Sequence, residues 1–550
     1  MEYFLMIVSL IMSAIYLRKK VLIEMNVLQI HSYESDKMIE WLHGKDKVLK
    51  MEFIKEFTPL VALIPCLIAN RQLSIIFSNI FLIILLFTLT KYTNNPNTKK
   101  PLVLTPRVKR MLYIVYPVLL FLLLIPILLV YLLPIKLLNI LLRYIMILFI
   151  LDIVALIKTS RYFIKLSNYL MRNKEAKVNE GYINEAKDII KSMPNLKVIG
   201  ITGSYGKTST KYFVSTILSE KYAVCKTPGS YNTTLGVVRT IREVLDKDDE
   251  IFVCEMGSRH LGDIKEICDI VPPTSAIITA IGDAHLETFK TIENTKEAKF
   301  EIARGLNKKQ NLYVNIDNEN ILQKLGSDVD KNLNNYNVVT YSLKDKDSDY
   351  YATNITYTSK GETFDCIING DEKNKLTIHT PLLGKHNIYN TLAAIAVAKD
   401  NKLTNEEIIK GASKIKPVEH RLQILKATSQ ITVIDDTFNA NPEGTKEALE
   451  VLNMIEGNKK IIITPGMIEM GDKEYELNYE FGENCAKKAD YTIMVGEVQT
   501  KPMQDAFNKL QVSKNKYYVA KNLDDASSHL QKILELKDVV LYENDMPEDM

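Results

Sequence analysis

The run Gly200-Ile201-Thr202-Gly203-Ser204-Tyr205-Gly206-Lys207-Thr208-Ser209-Thr210 has the residue types and spacing of a phosphate-binding loop. The apolar pair Val198-Ile199 before it reads as the end of a buried strand, and Lys211–Leu218 after it reads as an amphipathic helix. In that setting glycines let backbone N–H groups close around phosphate oxygens, and the helix N-terminus adds a favourable dipole. Lys207 would neutralise charge and the Thr208 hydroxyl would ligate magnesium. Gly200 lies one residue too far back for the commonest spacing, while Gly203 and Gly206 tighten the turn. The expected ligand is a nucleotide.

Three further residues bear chemistry, each with a plainer alternative. Glu255 closes an apolar run in Cys254-Glu255-Met256-Gly257, where a carboxylate would meet the same ion; alone, it is equally a cap or turn residue. His285, in Ile281-Gly282-Asp283-Ala284-His285, follows the next strand in the same way, although a lone histidine is more often a surface or packing residue. Lys299, in Glu297-Ala298-Lys299-Phe300-Glu301, sits on a helical stretch of mixed charge that by itself reads as a solvated face.

The elements that must position these residues follow an α/β pattern. From Leu196 onward strands alternate with helices, with strands expected at Ile251–Glu255, Ala276–Ile281 and Leu312–Asn315. Val338–Thr380 reads as short strands without helices, a β-rich flap, and Asn387–Lys399 returns to helix. After Pro417 strands at Ile431–Asp435, Lys460–Thr464, Tyr491–Val495, Tyr517–Val519 and Val539–Tyr542 are each separated by a helical segment, which predicts a second doubly wound domain. The chain of 550 residues has room for three or four domains. A net charge of +3, spread along the chain, gives no reason to expect nucleic acid as a partner. Six scattered cysteines point to a reduced compartment without disulfides or structural zinc.

The first third is membrane-like. Phe4–Tyr16, Thr58–Ala69, Leu73–Thr90, Met111–Leu133 and Leu137–Ile157 are apolar runs, the last three near the ~20 residues that cross a bilayer. Basic residues follow the first run (Arg18-Lys19-Lys20), the third (Lys91, Lys99, Lys100, Arg107, Lys109, Arg110) and the last (Lys158, Arg161, Lys165). Positive loops stay inside. That placement requires a crossing at Thr58–Ala69, so five spans are expected over 1–157, with the N-terminus outside and the soluble domains inside. Residues 158–193 read as a basic, partly amphipathic linker along the inner membrane surface.

Taken together, the motifs resemble the Mur ligase family, most closely its D-alanyl-D-alanine-adding (MurF-like) branch. The resemblance runs from about Lys197 to Tyr542 and is carried by Gly203–Thr208, Thr227-Pro228-Gly229, Glu255-Met256-Gly257, Gly282 with His285, and Ala298-Lys299. Gly384-Lys385-His386-Asn387 with Asn390, and Asp435-Asp436-Thr437-Phe438-Asn439-Ala440-Asn441-Pro442, complete it. It implies a central P-loop ATPase domain at 194–415 and a C-terminal Rossmann-like domain at 416–550. The implied reaction is amide-bond formation from ATP: a substrate carboxylate attacks the γ-phosphate, and an amine displaces phosphate from the acyl phosphate. On this resemblance Gly203, Ser204, Tyr205, Gly206, Lys207, Thr208 and Ser209 hold the phosphates. Thr208 and Glu255 bind one magnesium, while His285 and a carbamylated Lys299 bind or orient a second. Asn387 and Asn390 meet the adenine, and Arg421 and Asp436 reach the nucleotide when the last domain closes. Asn232, Thr233, Asn439 and Asn441 contact substrate.

Some residues depart from the family pattern. Soluble members carry an N-terminal domain that grips a uridine diphosphate, and here membrane spans stand in that place. The loop after Thr-Pro-Gly, Ser230-Tyr231-Asn232-Thr233-Thr234, keeps one of the expected asparagines. The expected function is therefore a membrane-embedded ligase joining an amino acid or short peptide to a carboxylate of a cell-envelope precursor, lipid-linked at the inner leaflet. The alternatives are D-alanyl-D-alanine addition to the nucleotide-linked tripeptide, a polyglutamate-type ligase, and a non-catalytic ATP-binding membrane scaffold.

Overall fold

The computed structural model describes residues 1–31, 33–42, 57–68, 70–92, 101–132, 135–282, 286–306, 309–332, 336–358, 361–417, 420, 422–426, 431–437, 442–455, 457–468 and 470–544. The chain divides into a compact unit of Met1–Glu180 and a second of Gly181–Met546.

The first unit is helical: Glu2–Ile30, Ser35–Leu42, a short 3-10 helix Thr58–Leu67, Arg71–Tyr92, Pro106–Leu132 and the start of Ile135–Ser192. Among the described residues two helices are long and apolar enough to cross a membrane, with spans at Arg71–Lys91 (21 residues) and Pro106–Leu128 (23 residues). This is fewer than the five spans expected. The run Phe4–Tyr16 lies in a 29-residue helix that continues through Arg18, Lys19, Lys20 and Glu24. Thr58–Leu67 is only 10 residues long and contains Pro65, and Ala69 lies outside the described residues. Leu137–Ile157 carries Arg143 and Asp152 and passes without a break into Lys158, within one helix of 58 residues. The basic linker is therefore a continuation of that helix, because no proline or glycine interrupts the sequence before Gly181. Lys99 and Lys100 of the basic loop lie outside the described residues.

In the second unit the described residues form a nine-stranded and a six-stranded sheet. The first has the order β2-β3-β1-β4-β5-β6-β7-β8-β9, where β1 is Lys197–Thr202, β2 Val224–Lys226, β3 Ile251–Glu255, β4 Ser275–Ile278, β5 Gln310–Asn315, β6 Tyr336–Ser342, β7 Tyr350–Thr358, β8 Gly361–Ile368 and β9 Asp371–Thr380. Strands β1 to β7 run parallel, and β8 and β9 pair antiparallel. The expected β-rich flap is thus the far edge of this same sheet, because Tyr341 and Ser342 of β6 pair with Tyr350 and Tyr351 of β7. Helices cover both faces, which explains why β1 and β3 are almost continuously apolar. Ile199 and Ile201 pack with Phe213, Val214, Leu392 and Ile395 on one face. Val198 packs with Phe252, Ala276, Ile278, Phe300 and Ile302 on the other.

The second sheet has the order β10-β11-β15-β12-β13-β14, with β10 Gln423–Lys426, β11 Thr432–Asp436, β12 Lys460–Thr464, β13 Tyr491–Val495, β14 Tyr517–Ala520 and β15 Val539–Glu543. Its five later strands lie where the sequence places them. The antiparallel edge β10 was not anticipated, since Gln423-Ile424-Leu425-Lys426 is too short to show a period.

Chain order reverses at β1, which sits between β3 and β4. Segments leaving the carboxyl ends of these neighbours converge, as open α/β sheets require at a switch point. The helix Lys207–Leu218 is seated there by Phe213, which is 1% exposed. Phe213→Ala should destabilise the second unit by about 3–5 kcal/mol. A lowered midpoint of thermal unfolding of the full chain checks this; an unchanged midpoint contradicts the packing described.

Candidate active site

The glycine loop is shaped by backbone conformations that side chains resist. Gly203 has φ +151°, and a Cβ there would lie 2.1 Å from Thr279 Oγ1. Gly206 has φ +77° and caps the helix Lys207–Leu218. Ser204 N–H donates to Ala280 O at 2.7 Å, and Gly282 N–H donates to Ser204 Oγ at 3.1 Å, so the segment after β4 braces the loop. Thr279 Oγ1 donates to the Tyr205 carbonyl, and the Tyr205 ring lies against Gly282. Asp283, Ala284 and His285 lie outside the described residues. Lys207 folds back on the loop, donating to Gly203 O at 2.7 Å and Ser204 O at 3.1 Å. Ser209 follows on the first turn of the helix.

Beside the loop, Glu255 at the end of β3 is a hub. Thr208 Oγ1 lies 3.1 Å from both of its carboxylate oxygens. Asn232 Nδ2 donates to Oε1 at 3.1 Å, and Lys211 Nζ pairs with Oε2 at 3.0 Å. Burial pushes the Lys211 ammonium down from its ordinary value, and the Glu255 charge opposes that. Thr208 and Glu255 offer adjacent hard oxygen donors, which suits magnesium, an ion that takes one or two protein ligands and completes its shell with water and phosphate. Among the described residues no group of three or more His, Cys, Asp or Glu gathers as a metal cage.

Lys299 is not on a solvated face. It is 2% exposed, donates to Ser258 Oγ at 2.9 Å and stands over the Phe289 ring. Burial, with the nearby Lys207 cation, holds its amine well below the ordinary lysine value. The Thr233 hydroxyl accepts from Gly236 N–H and caps the helix Thr234–Glu243.

Two asparagines reach this region from the helix Lys385–Asp400. Asn390 Oδ1 accepts from Thr210 Oγ1 at 2.9 Å, and its Nδ2 is buried with no hydrogen-bond partner among the described residues. Asn387 Nδ2 donates to Leu383 O at 2.9 Å, at the start of its own helix. In the last domain Asp436 Oδ1 accepts from Leu422 N–H at 3.1 Å, and Asp435 meets His420 at 2.8 Å. Arg421, Asn439 and Asn441 lie outside the described residues.

Sequence reasoning missed Lys211, Ser258 and Thr279, and also the ion pair of His386 with Glu447 at 2.5 Å. Lys211 had a signal, since it lies three residues after Thr208 on the same helical face. Glu447 had none, as it belongs to the helix Pro442–Met454 of the last domain.

The model of the Mur ligase middle domain matches residues 201–398, and that of the Mur ligase glutamate ligase domain matches 420–542. The UDP-N-acetylmuramoyl-tripeptide–D-alanyl-D-alanine ligase of Bacillus subtilis is 32% identical over 327 residues, 59% of this chain and 68% of that protein. The chain belongs to the Mur ligase family. As a Mur ligase it is an ATP-dependent ligase of the amide-bond-forming class. The Escherichia coli protein of the same name is 30% identical over 303 residues, covering 55% of this chain and 65% of the relative. This Mur ligase thus spans about two thirds of the length of these relatives. Among solved structures, MurF from Acinetobacter baumannii matches with a TM-score of 0.59 and 25% identity, over 66% of this chain and 77% of that one. MurF from Thermotoga maritima, solved with ADP, shares the fold at a TM-score of 0.58 and 24% identity, over 66% and 80%.

The His386–Glu447 pair joins the two halves of this Mur ligase's second unit and should respond to pH. Burial opposes the His386 charge, but the Glu447 carboxylate outweighs it, helped by Asp436 and Glu362, and holds the imidazole above its ordinary value. Burial raises Glu447, yet His386 and Lys385 bring it below the usual carboxylate range. Glu362 is pushed by burial up to about 8. The pair therefore stabilises fully below the unfolded histidine value of about 6.5, and fades as pH rises through the higher folded value. It also fades at acid pH, where Glu447 protonates. Thermal midpoints of Glu447→Gln and the unchanged chain should differ most near about pH 6 and converge at alkaline pH. A pH-independent difference contradicts the pairing.

Proposed function

We propose that the protein adds a D-alanyl-D-alanine dipeptide to the terminal carboxylate of UDP-N-acetylmuramoyl-tripeptide, at the expense of ATP. The reading rests on the relatives' names together with the Thr208–Glu255 pair beside a complete glycine loop. It replaces the lipid-linked acceptor expected from sequence as the leading choice. The catalytic domains are 194–415 and 416–550, with ATP bound at Gly203–Ser209.

On this reading Lys207 leaves the loop carbonyls it now meets and donates to the phosphates. Asn387 and Asn390 hold the adenine, while Arg421 and Asp436 approach the nucleotide from the last domain. Magnesium held by Thr208 and Glu255 supplies charge neutralisation on the phosphates. His285 and Lys299 serve the reacting γ-phosphate. The amine of Lys299, desolvated beside Ser258, is the kind of site that takes up carbon dioxide as a carbamate. Asn232, Asn439 and Asn441 orient the acceptor, whose carboxylate attacks the γ-phosphorus with release of ADP. The dipeptide amine then attacks the acyl carbon, and phosphate leaves. Positioning and charge neutralisation supply most of the acceleration.

A second reading keeps the lipid-linked acceptor, with a multi-pass chain in the cell membrane, catalytic domains cytoplasmic, and membrane lipids as partners. One feature of the first unit favours it. An apolar groove of about 450 Å3 is lined by Leu17, Leu112, Leu119 and Leu123, with Arg18 and Tyr116 at the same site. So apolar a lining suits an alkyl chain.

Phosphate release by the detergent-solubilised full chain tests both readings. With ATP, magnesium and D-alanyl-D-alanine, UDP-N-acetylmuramoyl-tripeptide should stimulate release, and Lys207→Ala should lower the rate on the order of a hundredfold or more. Stimulation by a polyprenyl-linked tripeptide alone would transfer the assignment to the second reading. Turnover that survives Lys207→Ala would contradict both.

A further inference from the structure

We propose that Lys211 is a positioning residue that couples the nucleotide loop to the loop expected to hold the acceptor. The inference goes beyond the proposed function, and rests on it only in reading Gly229–Thr233 as the acceptor loop.

Lys211 has no exposed side-chain surface, and its partner Glu255 is 1% exposed. A buried lysine–glutamate pair adds little net stability, because desolvating both charges offsets their attraction. Replacing both partners by apolar residues is often neutral, whereas removing one leaves the other charge buried and unanswered. The value of the pair lies in what the ammonium joins. Lys211 Nζ meets Glu255 Oε2 at 3.0 Å and also donates to the Gly229 carbonyl, and its chain is on the helix that starts at Lys207. One cation therefore touches three pieces: the phosphate-loop helix, the carboxylate beside Thr208, and the Thr227-Pro228-Gly229 turn.

The turn is pinned to the same carboxylate residue on either side of Gly229. Before it, Thr227 Oγ1 accepts from Glu255 N–H at 3.1 Å. After it, Asn232 Nδ2 returns to Glu255 Oε1 at 3.1 Å, and Asn232 O accepts from Gly257 N–H at 2.7 Å. Gly229 itself has φ +47°, which glycine adopts readily and other residues resist, so its carbonyl is free to turn toward the ammonium. Lys211 holds it. A shift of Glu255 or of the helix, such as nucleotide binding would bring, is transmitted through the ammonium to Gly229 and through the carboxylate to Asn232.

Hydrogen exchange read by mass spectrometry on the detergent-solubilised full chain tests this without any acceptor, using magnesium and ADP as the probe. In the unchanged chain, MgADP should slow exchange both in the loop 203–209 and in the turn 227–233. In Lys211→Met, ADP should still bind and still protect 203–209, while the nucleotide-dependent protection of 227–233 is lost. Lys211→Arg, which keeps the charge, should retain part of it. The proposal is overturned if Lys211→Met keeps the protection of 227–233. Leaving Glu255 without its cation speeds exchange across the sheet to some degree; the proposal is equally overturned if that variant loses ADP binding, or if the nucleotide-dependent protection falls in 203–209 as much as in 227–233, since Lys211 would then be a binding or merely structural residue. Failure of the ligase assay with every acceptor would leave this result standing, so the two readings fail separately.

Discussion

The carboxylate of Glu255 is the constraint on which the site depends. A charge so deeply buried is tolerated only when every lone pair is answered. Three side chains answer it, from two segments: Thr208 and Lys211 from the helix Lys207–Leu218, and Asn232 from the loop after β2. The sheet makes the meeting possible. Ile201 pairs with Glu255 and Thr202 with Ile278, so β1, β3 and β4 end in register and their outgoing segments share one edge. The loop from β1, the carboxylate of β3 and the brace after β4 are thereby a single construction. The glycine loop, the Lys207 ammonium and the Thr208–Glu255 pair thus gather at that one edge, the place where open α/β sheets bind ligands.

Legibility tracked how local each cause was. The glycines of the loop were readable because Gly203 and Gly206 adopt conformations that other residues avoid, and motif and conformation are two aspects of one fact. The strands of the last sheet were readable because each buried apolar run is bounded by a helix. Long-range causes were hidden. Nothing near Lys299 announces that Ser258 and Phe289 enclose it, and its sequence neighbours suggest solvent. The membership of β7 to β9 in the first sheet depends on pairing with β6, which no periodicity reveals. The cap made by Thr233 follows a local rule, a threonine ahead of a helix, and was open to reading in the sequence. For the first unit, the basic residues after the apolar runs were read as loops or a linker, whereas Arg18 to Glu24 and Lys158 onward continue the same helices.

The two units pose different questions about the acceptor. In the second unit the family likeness and the Glu255 hub agree on ATP-driven ligation. Among its described residues the first unit offers two helices of crossing length and an apolar groove. The relatives' names favour a nucleotide-linked acceptor, whereas the groove favours a lipid-linked one.

Mass spectrometry of envelope precursors from cells with and without the protein tests the central claim most directly. The account predicts that loss of the protein makes a tripeptide precursor accumulate, short of its terminal dipeptide and carried on uridine diphosphate. Accumulation on a lipid would keep the ligase and change its acceptor. A precursor pool unaltered by loss of the protein, and equally unaltered when Lys207→Ala replaces it, would contradict the account.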